Sequence, residues 1–432
     1  MICDNLSVGN DGILYFAGKS TSSLAAKYGT PLYLMDEQKI RHNCRVYVDS
    51  VKKYFGESAL VLLASKANSF KQIYRIANEE GMGTDVVSSG ELYTAKSVGF
   101  PMDKVYFHGN NKTDADISYA IDCGVGCFVA DSFEEIESID RIAGEKGIRQ
   151  KILIRLTPGI DPHTYEAVAT GKVDSKFGSA ISTGEAERIM LFALSKKNID
   201  LCGFHCHVGS QVFDSDVYFA SSEIMLGFIA EMKKKHGFEA IELNLGGGYG
   251  VRYTDGDPVI DIADNIKQVS VRMKEICLEL GIDMPAIRME PGRSIVADAG
   301  LTLYTAGSVK RIPGFKNYVS VDGGMADNPR YALYGSAYTV YVANKMNEKS
   351  DFVCSVVGRC CESGDIIQEN VKLPDSVRRG DLIAVLTTGA YNYSMSSNYN
   401  RLGRPPVVML NGEDDYIAVK RESFEDIAKN DV

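Results

Sequence analysis

Eight short apolar runs separated by helix-like segments constrain the fold of this 432-residue chain more than any other feature. The runs are rich in Val, Ile, Leu and Phe without strict alternation, which is typical of strands that are buried on both faces. They occupy residues 60–64, 84–87, 105–108, 127–130, 152–156, 201–205, 241–245 and 286–289. Eight such strands alternating with helices predict a (β/α)8 TIM-like barrel.

The segments between the runs are helix-like, and the chain changes character after residue 293. Helix-like segments cover residues 69–80, 91–98, 132–146, 183–196, 214–235 and 262–280. From residue 294 onward, short β-like stretches separated by Gly, Asp, Asn and Pro predict a mainly antiparallel β-domain. These stretches are residues 302–306, 318–321, 352–357, 382–386 and 416–419, with two similar pieces at residues 12–17 and 31–35. We expect a barrel domain at residues 36–293 and a β-domain at residues 294–432, joined by strands from residues 1–35.

Charge and cysteine content limit the class of protein. The chain has 57 acidic and 47 basic residues, a net charge of −10, whereas binding to nucleic acid or to an anionic membrane requires a basic face. No signal-peptide pattern and no apolar run of about 18 residues is present. Ten cysteines without a secretion signal or a Cys-x-x-Cys pair indicate reduced thiols. We expect a cytoplasmic protein that binds neither nucleic acid nor membrane.

Glycine-rich and charged segments follow the last two predicted strands, at the end where barrel enzymes place their chemistry. Residues 246–250 read Gly-Gly-Gly-Tyr-Gly, and residues 290–293 read Glu-Pro-Gly-Arg. Glycine lets backbone N–H groups approach phosphate oxygens, and arginine adds a planar charged fork. A dinucleotide-binding fingerprint is excluded because Val251 and Tyr253 stand where its last glycine would be. The glycine run alone is typical of a tight βα turn, but the two motifs together favour a phosphate site.

Lys66 directly follows the first apolar run and should therefore lie at the barrel mouth. An isolated lysine there is most often a surface residue. A lysine amine can also form a Schiff base with a carbonyl cofactor. Because a phosphate site is predicted at the same mouth, pyridoxal phosphate is the simplest cofactor that explains both features.

Glu290 can face the pyridine nitrogen of such a cofactor. A carboxylate there favours the protonated ring, which is the stronger electron sink, and so favours decarboxylation over simple racemisation. His205 and His207 should share one face of a strand, with Cys206 on the other. One histidine can stack on the cofactor ring; the alternatives are a buried core histidine or a metal site, for which a His-x-His pair is a weak signal. No metal is predicted.

Three further segments carry candidate residues in the β-domain. Residues 358–365 contain Cys360 and Cys361, where a thiol can donate a proton, although a vicinal pair is more often inert. Arg330 lies in a polar, glycine-rich segment and can grip a substrate carboxylate. Residues 389–400 combine hydroxyls and aromatic rings, as binding loops do. An ordinary surface loop is the alternative for the last two.

Several motifs resemble those of the diaminopimelate decarboxylases, which belong to the fold type III, alanine-racemase-like pyridoxal-phosphate enzymes. The resemblance runs from about residue 11 to residue 406, in the family's order. It rests on residues 64–68, 174–178, 205–211, 245–248, 290–294, 361–365 and 389–391.

The resemblance implies a role for each matching residue. Lys66 would carry the cofactor, His207 would stack on its ring and Glu290 would pair with its nitrogen. The remaining cofactor contacts would come from Asp85, Ser210, Gly247, Gly248, Gly292, Arg293 and Tyr391. Cys361 would be the proton donor. The substrate contacts would come from Arg293, Arg330, Tyr334, Glu362 and Tyr391. Cys361 and Glu362 would reach the neighbouring subunit's site, which implies a homodimer.

The implied reaction is decarboxylation of meso-2,6-diaminopimelate to L-lysine and CO₂, the last step of lysine biosynthesis, with Arg330 on the distal carboxylate. The alternatives are a related decarboxylase of ornithine, lysine or carboxynorspermidine, and a non-catalytic homologue. Two departures from the family pattern concern fine geometry. Arg359 and Cys360 stand where a proline before a variable residue is expected, and Tyr165 stands where a histidine often occurs.

Overall fold

The computed structural model describes residues 1–160 and 175–432. Tyr165 and Asp174, part of the motifs above, lie outside the described residues. The chain forms two compact units. The barrel unit comprises residues 43–250 and 259–294, and the β unit comprises residues 1–42, 251–258 and 295–432. The sequence placed these boundaries at residues 36 and 293.

The described residues contain the following strands and helices. The strands are β1 (Leu6–Val8), β2 (Leu14–Phe16), β3 (Lys19–Ser20), β4 (Leu32–Asp36), β5 (Leu60–Ala64), β6 (Gly83–Val86), β7 (Val105–Phe107), β8 (Cys127–Ala130), β9 (Gln150–Thr157), β10 (Ser179–Ala180), β11 (Ile199–His205), β12 (Glu242–Asn244), β13 (Ala286–Met289), β14 (Gly300–Lys310), β15 (Tyr318–Val321), β16 (Val340–Val342), β17 (Ser350–Val357), β18 (Ile366–Pro374), β19 (Leu382–Leu386), β20 (Val407–Asn411) and β21 (Asp414–Val419). The α-helices are α1 (Thr21–Tyr28), α2 (Glu37–Phe55), α3 (Lys71–Glu79), α4 (Ser89–Lys96), α5 (Asp114–Cys123), α6 (Phe133–Glu145), α7 (Glu185–Leu194), α8 (Ser215–His236), α9 (Ile262–Leu280), α10 (Arg293–Val296), α11 (Arg330–Tyr334), α12 (Asn392–Met395) and α13 (Phe424–Ala428).

Eight parallel strands close into a barrel within the barrel unit. Their order is β5, β6, β7, β8, β9, β11, β12 and β13, and β13 pairs back to β5. The two-residue strand β10 pairs with β9. Strands β5, β8 and β13 have the predicted bounds, and the other five differ from their predictions only at the ends. The predicted (β/α)8 barrel is confirmed.

Side chains inside the barrel are apolar in the middle and polar at the carboxyl end. Register pairs Leu62 with Gly83 and Ala64 with Asp85, and it pairs Val129 with Leu153. An apolar cluster fills the interior, comprising Leu62, Tyr106, Cys127, Val129, Leu153 and Cys202. Because side chains alternate along a strand, the next inward positions toward the carboxyl end belong to the polar residues described below.

Side-chain caps set where the outer helices begin. Ser88 caps α4, Thr113 forms a capping box with Asp116 at α5, and Asp214 and Asp261 cap α8 and α9. Each cap accepts a hydrogen bond from an N–H group that the helix itself leaves without a partner. These helices therefore start at fixed residues.

A mainly antiparallel sheet dominates the β unit, as predicted. The main path runs β18-β17-β15-β14-β4-β20-β21, and β19 joins β14 to β16. Only the pairs β15–β17 and β4–β20 are parallel among the described residues of this sheet. The N-terminal strand β4 lies between β14 and β20. A separate three-stranded sheet consists of β1, β2 and β3.

Strands β18 and β20 were not among the predicted β-stretches. Strand β18 contains Asn370, at a φ of 56°, and ends at Pro374. Asn and Pro are uncommon in strands, so the sequence does not indicate a strand there. Strand β20 is apolar, but its place in the sheet depends on pairing with β4, which lies far away in the sequence. Within the described residues, no helix is both long enough and apolar enough to span a bilayer.

Candidate active site

A ring of polar side chains lies at the carboxyl end of the barrel strands. It consists of Asp85, His108, Asp131, Arg155, His205, Asn244 and Glu290. Register places His205 beside Arg155 on one side and beside Asn244 on the other. All except Arg155 are almost fully buried. Of these residues, the sequence interpretation named only Asp85, His205 and Glu290 as candidates.

Glu290 is the centre of this ring. Its Oε1 atom accepts hydrogen bonds from His108 Nε2 and Asn244 Nδ2, both at 2.7 Å, and its Oε2 atom lies 3.1 Å from His205 Nε2. Burial opposes the charge, but the interactions with His108 and His205 outweigh it and hold the pKa of Glu290 well below its usual value. The carboxylate is therefore ionised at neutral pH.

Both histidines are neutral at neutral pH. Burial lowers the pKa of His205 to about 4, against the opposing effect of Glu290. Burial also lowers the pKa of His108. His108, His205 and Glu290 are close enough to hold a metal ion. Their ligand atoms are already joined by hydrogen bonds, which account for the cluster without an ion.

The structure places His205, Cys206 and His207 in three different environments. His205 ends strand β11 and points into the barrel, whereas Cys206 Sγ lies 3.4 Å from Ser221 Oγ on helix α8. The two therefore occupy opposite faces, as predicted. His207 lies just beyond the strand, where its Nδ1 accepts a hydrogen bond from the Gly247 N–H at 3.4 Å.

Lys66 lies in a one-turn 3₁₀ helix, Ser65–Ala67, immediately after β5, and its side chain is exposed. Its positive charge acts to lower the pKa values of Asp85, Glu91 and His207. Burial and the charge of Glu290 nevertheless raise the pKa of Asp85 well above its usual value. Asp85 Oδ1 is buried without a hydrogen-bond partner among the described residues. Lys66 therefore lies near an acidic group that keeps one carboxylate oxygen without a hydrogen bond among the described residues.

The glycine loop packs too closely against its neighbours for any side chain. A Cβ atom on Gly247 would lie 2.1 Å from the Glu290 carbonyl oxygen, and one on Gly248 would lie 2.3 Å from the Gly209 carbonyl oxygen. Gly248 also has a φ of 113°, which L-residues rarely adopt. The loop therefore holds its backbone against Glu290 and the segment that carries Ser210.

Arg293 and Ser210 lie together beside this loop. Arg293 is buried, and its Nη2 and Nε atoms donate to Ser210 Oγ at 2.9 and 3.3 Å. Gly292, just before it, packs against Ala64, where a Cβ atom would meet the Ala64 Cβ at 2.8 Å. A hydroxyl, a guanidinium and closely approaching backbone suit an anionic group such as a phosphate.

Arg330 is a buried cation in the β unit. Its guanidinium carbon lies 5.0 Å from the Tyr391 ring centre and 5.6 Å from that of Tyr334, and its Nη2 donates to Ser336 Oγ at 3.2 Å. Among residues 1–160 and 175–432, Arg330 pairs with no carboxylate, and its Nε has no hydrogen-bond partner. A buried charge without an oppositely charged partner is costly, so this site suits an incoming carboxylate.

Only one thiol of the vicinal pair in the β unit is exposed. Cys361 is exposed, whereas Cys360 is buried, and burial together with Asp365 raises the pKa of Cys360 to about 11. The Cys361 N–H donates to Asn400 Oδ1 at 2.7 Å, and Tyr399 Oη lies 3.4 Å from a carboxylate oxygen of the exposed Glu362. Cys361 is therefore the accessible thiol.

Sequence reasoning assigned no role to His108, Asp131, Arg155 or Asn244. His108 and Asn244 lie at the ends of apolar runs, and an amide or imidazole within a buried run was the available signal. Arg155 lies on β9, with its guanidinium carbon 4.4 Å from the Phe177 ring centre. Burial lowers its pKa against the opposing charge of Asp131.

Comparisons with known proteins identify the family to which this chain is similar. The family model "Pyridoxal-dependent decarboxylase, pyridoxal binding domain" matches residues 38–297. The chain is 43% identical to the diaminopimelate decarboxylase of Bacillus subtilis, over 98% of this chain and 95% of that protein.

Solved structures show the same fold. The diaminopimelate decarboxylase of M. jannaschii, in complex with L-lysine, superposes with a TM-score of 0.91 at 32% identity and covers 100% of this chain and 98% of its own. That of Helicobacter pylori, also with L-lysine, has a TM-score of 0.84 at 30% identity, over 94% of this chain and 98% of its own.

The residues present fit the cofactor that the family model names. An exposed lysine next to Asp85, an ionised Glu290 and the anion site at Ser210 and Arg293 match the carbonyl, the ring nitrogen and the phosphate of pyridoxal phosphate. The family model confirms the predicted cofactor, and the identity to diaminopimelate decarboxylases confirms the predicted resemblance. The chain belongs to the diaminopimelate decarboxylase family of pyridoxal-dependent decarboxylases.

Proposed function

We propose that this protein decarboxylates meso-2,6-diaminopimelate to L-lysine and CO₂, the last step of lysine biosynthesis. The observation that carries the proposal is the ionised Glu290 at the barrel mouth, in the same unit as Lys66 and the anion site. An ionised carboxylate keeps a pyridine nitrogen protonated, which is what loss of CO₂ requires. The 43% identity to a diaminopimelate decarboxylase supports the substrate.

In this proposal the barrel unit holds most of the cofactor. Lys66 binds its carbonyl carbon, Glu290 faces its ring nitrogen and His207 packs on its ring. The phosphate is held by Ser210, Gly247, Gly248, Gly292, Arg293 and Tyr391, and Asp85 lies beside Lys66. Pyridoxal phosphate, when bound, accepts the electron pair released when the bond to CO₂ breaks.

Arg330 selects the substrate by binding its distal carboxylate. Its guanidinium is buried, has no carboxylate partner among the described residues and lies near the rings of Tyr334 and Tyr391. Arg293 and Glu362 complete the substrate contacts. A decarboxylase of ornithine or lysine would place an ammonium at this point, and an ammonium facing a buried arginine is repelled.

Cys361 supplies the proton that replaces CO₂ on the α-carbon. Its thiol is exposed and neighbours Glu362, which fits a role in the site of a second copy of the chain. We therefore propose a homodimer whose active sites contain residues of both subunits. The ten free cysteines suit the reducing cytoplasm, where we propose that the protein acts. The proposed domains are residues 36–293 and 294–432.

A substrate panel tests the proposal. The kcat/KM of the protein loaded with cofactor is measured by CO₂ release from meso-diaminopimelate, lysine, ornithine and carboxynorspermidine. We expect the highest value for meso-diaminopimelate, because only it offers Arg330 a distal carboxylate on this carbon chain. A preference for ornithine or lysine would assign the protein to the alternative decarboxylases. Binding of cofactor without release of CO₂ from any of them would indicate a non-catalytic homologue.

A further inference from the structure

The Glu290 carboxylate is held by three side chains from three different strand ends of the barrel. We propose that His108, His205 and Asn244 are positioning residues that fix the Glu290 carboxylate in one orientation toward the ring nitrogen of pyridoxal phosphate. This inference rests on the proposed function, because it concerns the carboxylate that faces that nitrogen.

The hydrogen bonds leave one oxygen of Glu290 open. Each oxygen of an ionised carboxylate can accept about two hydrogen bonds. Oε1 already accepts two, from His108 Nε2 and Asn244 Nδ2, whereas Oε2 accepts one, from His205 Nε2. Oε2 is therefore the oxygen that can accept the ring N–H.

Asn244 has a fixed orientation, which makes it a dependable donor. Its Oδ1 accepts the Gly246 N–H at 2.9 Å, so its amide nitrogen must point toward Glu290. The Glu290 N–H in turn donates to the Gly246 carbonyl at 2.7 Å. Asn244 thus links the glycine loop to the carboxylate that faces the ring.

The two histidines leave the negative charge of Glu290 intact. Each donates its Nε2–H, so its Nδ1 carries a lone pair, and His205 Nδ1 is buried without a partner among the described residues. Burial keeps both imidazoles neutral at neutral pH. A charged imidazolium would neutralise the carboxylate and weaken its hold on a protonated ring.

Other charged groups face this cluster from neighbouring elements. Asp85 on β6 adds negative charge, while Arg155 on β9 and Lys112 in the loop after β7 add positive charge. None of these three donates a hydrogen bond to Glu290 in the described structure. The orientation of the carboxylate is therefore assigned to His108, His205 and Asn244.

Nuclear magnetic resonance of the ring nitrogen tests the inference. The protein is loaded with pyridoxal phosphate labelled with ¹⁵N in the ring, and the nitrogen shift is followed against pH without substrate. In a variant that lacks one of the three donors, the Glu290 carboxylate can turn away from the ring, and loss of its charge-assisted hydrogen bond to the ring N–H should lower the titration midpoint of the ring nitrogen by about one to two pH units. We expect this change in H108L, H205L and N244L.

Conservative variants separate positioning from packing. H108Q and H205Q each retain an N–H near the Nε2 position, so they should restore most of the midpoint. Y106F is the matched control: it removes a polar group from the barrel interior near Arg288 and Glu242, away from Glu290, and should leave the midpoint unchanged.

Two outcomes would overturn the inference. One is an unchanged midpoint in the folded variants among H108L, H205L and N244L. The other is a drop in the midpoint of H108Q and H205Q as large as that expected for the leucine variants, about one to two pH units. The glutamine variants can be measured even if the leucine variants do not fold. A wild-type protein that binds no pyridoxal phosphate would overturn the proposed function as well, whereas turnover of a different amino acid would overturn only the proposed substrate.

Discussion

Both ends of the barrel interior carry charged and polar side chains, but the two ends differ in how these side chains are hydrogen-bonded. At the amino end, Arg288 Nη2 lies 3.0 Å from Glu242 Oε1, and Tyr106 Oη donates to Glu242 Oε2 at 2.7 Å. Arg288 also donates to Tyr106 Oη at 3.0 Å and to the Ser58 carbonyl at 2.6 Å. These groups satisfy one another.

At the carboxyl end, several buried polar atoms have no hydrogen-bond partner. Asp85 Oδ1, Asp131 Oδ2 and His205 Nδ1 are buried without hydrogen bonds among the described residues. Buried polar groups are normally paired, so such a concentration needs an explanation. The difference shows that the amino end stabilises the barrel, while the carboxyl end keeps bonding capacity for a cofactor and a substrate.

The largest effect should follow from removing Lys66 at the open end. Lys66→Ala should reduce CO₂ release by on the order of 10⁴-fold or more, because it removes the covalent link to the cofactor. Borohydride reduction followed by peptide mass spectrometry should find the cofactor on Lys66 in the wild type only. Lys71→Ala, at an exposed lysine of α3, is the control and should leave both readouts unchanged. A cofactor adduct at another lysine would contradict the assignment.

The second effect concerns stability against pH. The pKa of His205 is lowered to about 4 from an ordinary 6.5, so between these values the unfolded chain binds a proton that the folded chain does not. The free energy of unfolding should therefore fall as the pH falls from 6.5 to 4, by about 3 kcal/mol from this residue. Urea titration of wild type and His205→Gln should show a shallower fall in the variant; equal slopes would mean that His205 titrates normally.

The third effect should follow from Arg330→Met in the β unit. Loss of a charged hydrogen-bond donor to the distal carboxylate should raise KM for meso-diaminopimelate about tenfold to a hundredfold. Steady-state kinetics measure it. Arg311→Met is the matched control, because that arginine is more exposed and pairs with Asp375 at 2.7 Å. An unchanged KM in Arg330→Met would remove Arg330 from the substrate site.

The smallest effect should follow from Tyr106→Phe at the closed end. Loss of its hydroxyl leaves Arg288 and Glu242 with fewer hydrogen bonds, which should lower the free energy of unfolding by about 1–3 kcal/mol. Turnover should be unchanged. Urea unfolding and a CO₂ assay on the same preparation check both. A large loss of activity in the folded variant would show that the two ends are not separate in function.

The sequence predicted the features that depend on local pattern. The barrel strands are continuous apolar runs, and Lys66 and Glu290 directly follow two of them, so their place at the barrel mouth could be inferred from the fold alone. The hydrogen bonds between Glu290 and His108 could not, because 182 residues separate the two and their meeting depends on barrel closure. Strand β20 was missed for a similar reason, since its partner β4 lies even farther away in the sequence.

The roles of Tyr334 and Glu362, and the choice of Cys361 as the proton donor, were inferred from the family resemblance, whereas residue type and its polar, glycine-rich segment suggested Arg330 as a carboxylate contact. The structure adds that Arg330 is buried without a carboxylate partner among the described residues and that Cys361, not Cys360, is the exposed thiol. Those facts depend on how loops of the β unit pack, which sequence spacing does not determine.

The most direct test of the proposed activity is the product balance from meso-diaminopimelate. Purified protein loaded with pyridoxal phosphate is incubated with this substrate, and CO₂ and L-lysine are both measured, in wild type and in Cys361→Ala. We expect equal amounts of CO₂ and L-lysine in the wild type and a much slower release of L-lysine in Cys361→Ala. Absence of CO₂, or CO₂ without L-lysine, would contradict the proposed function.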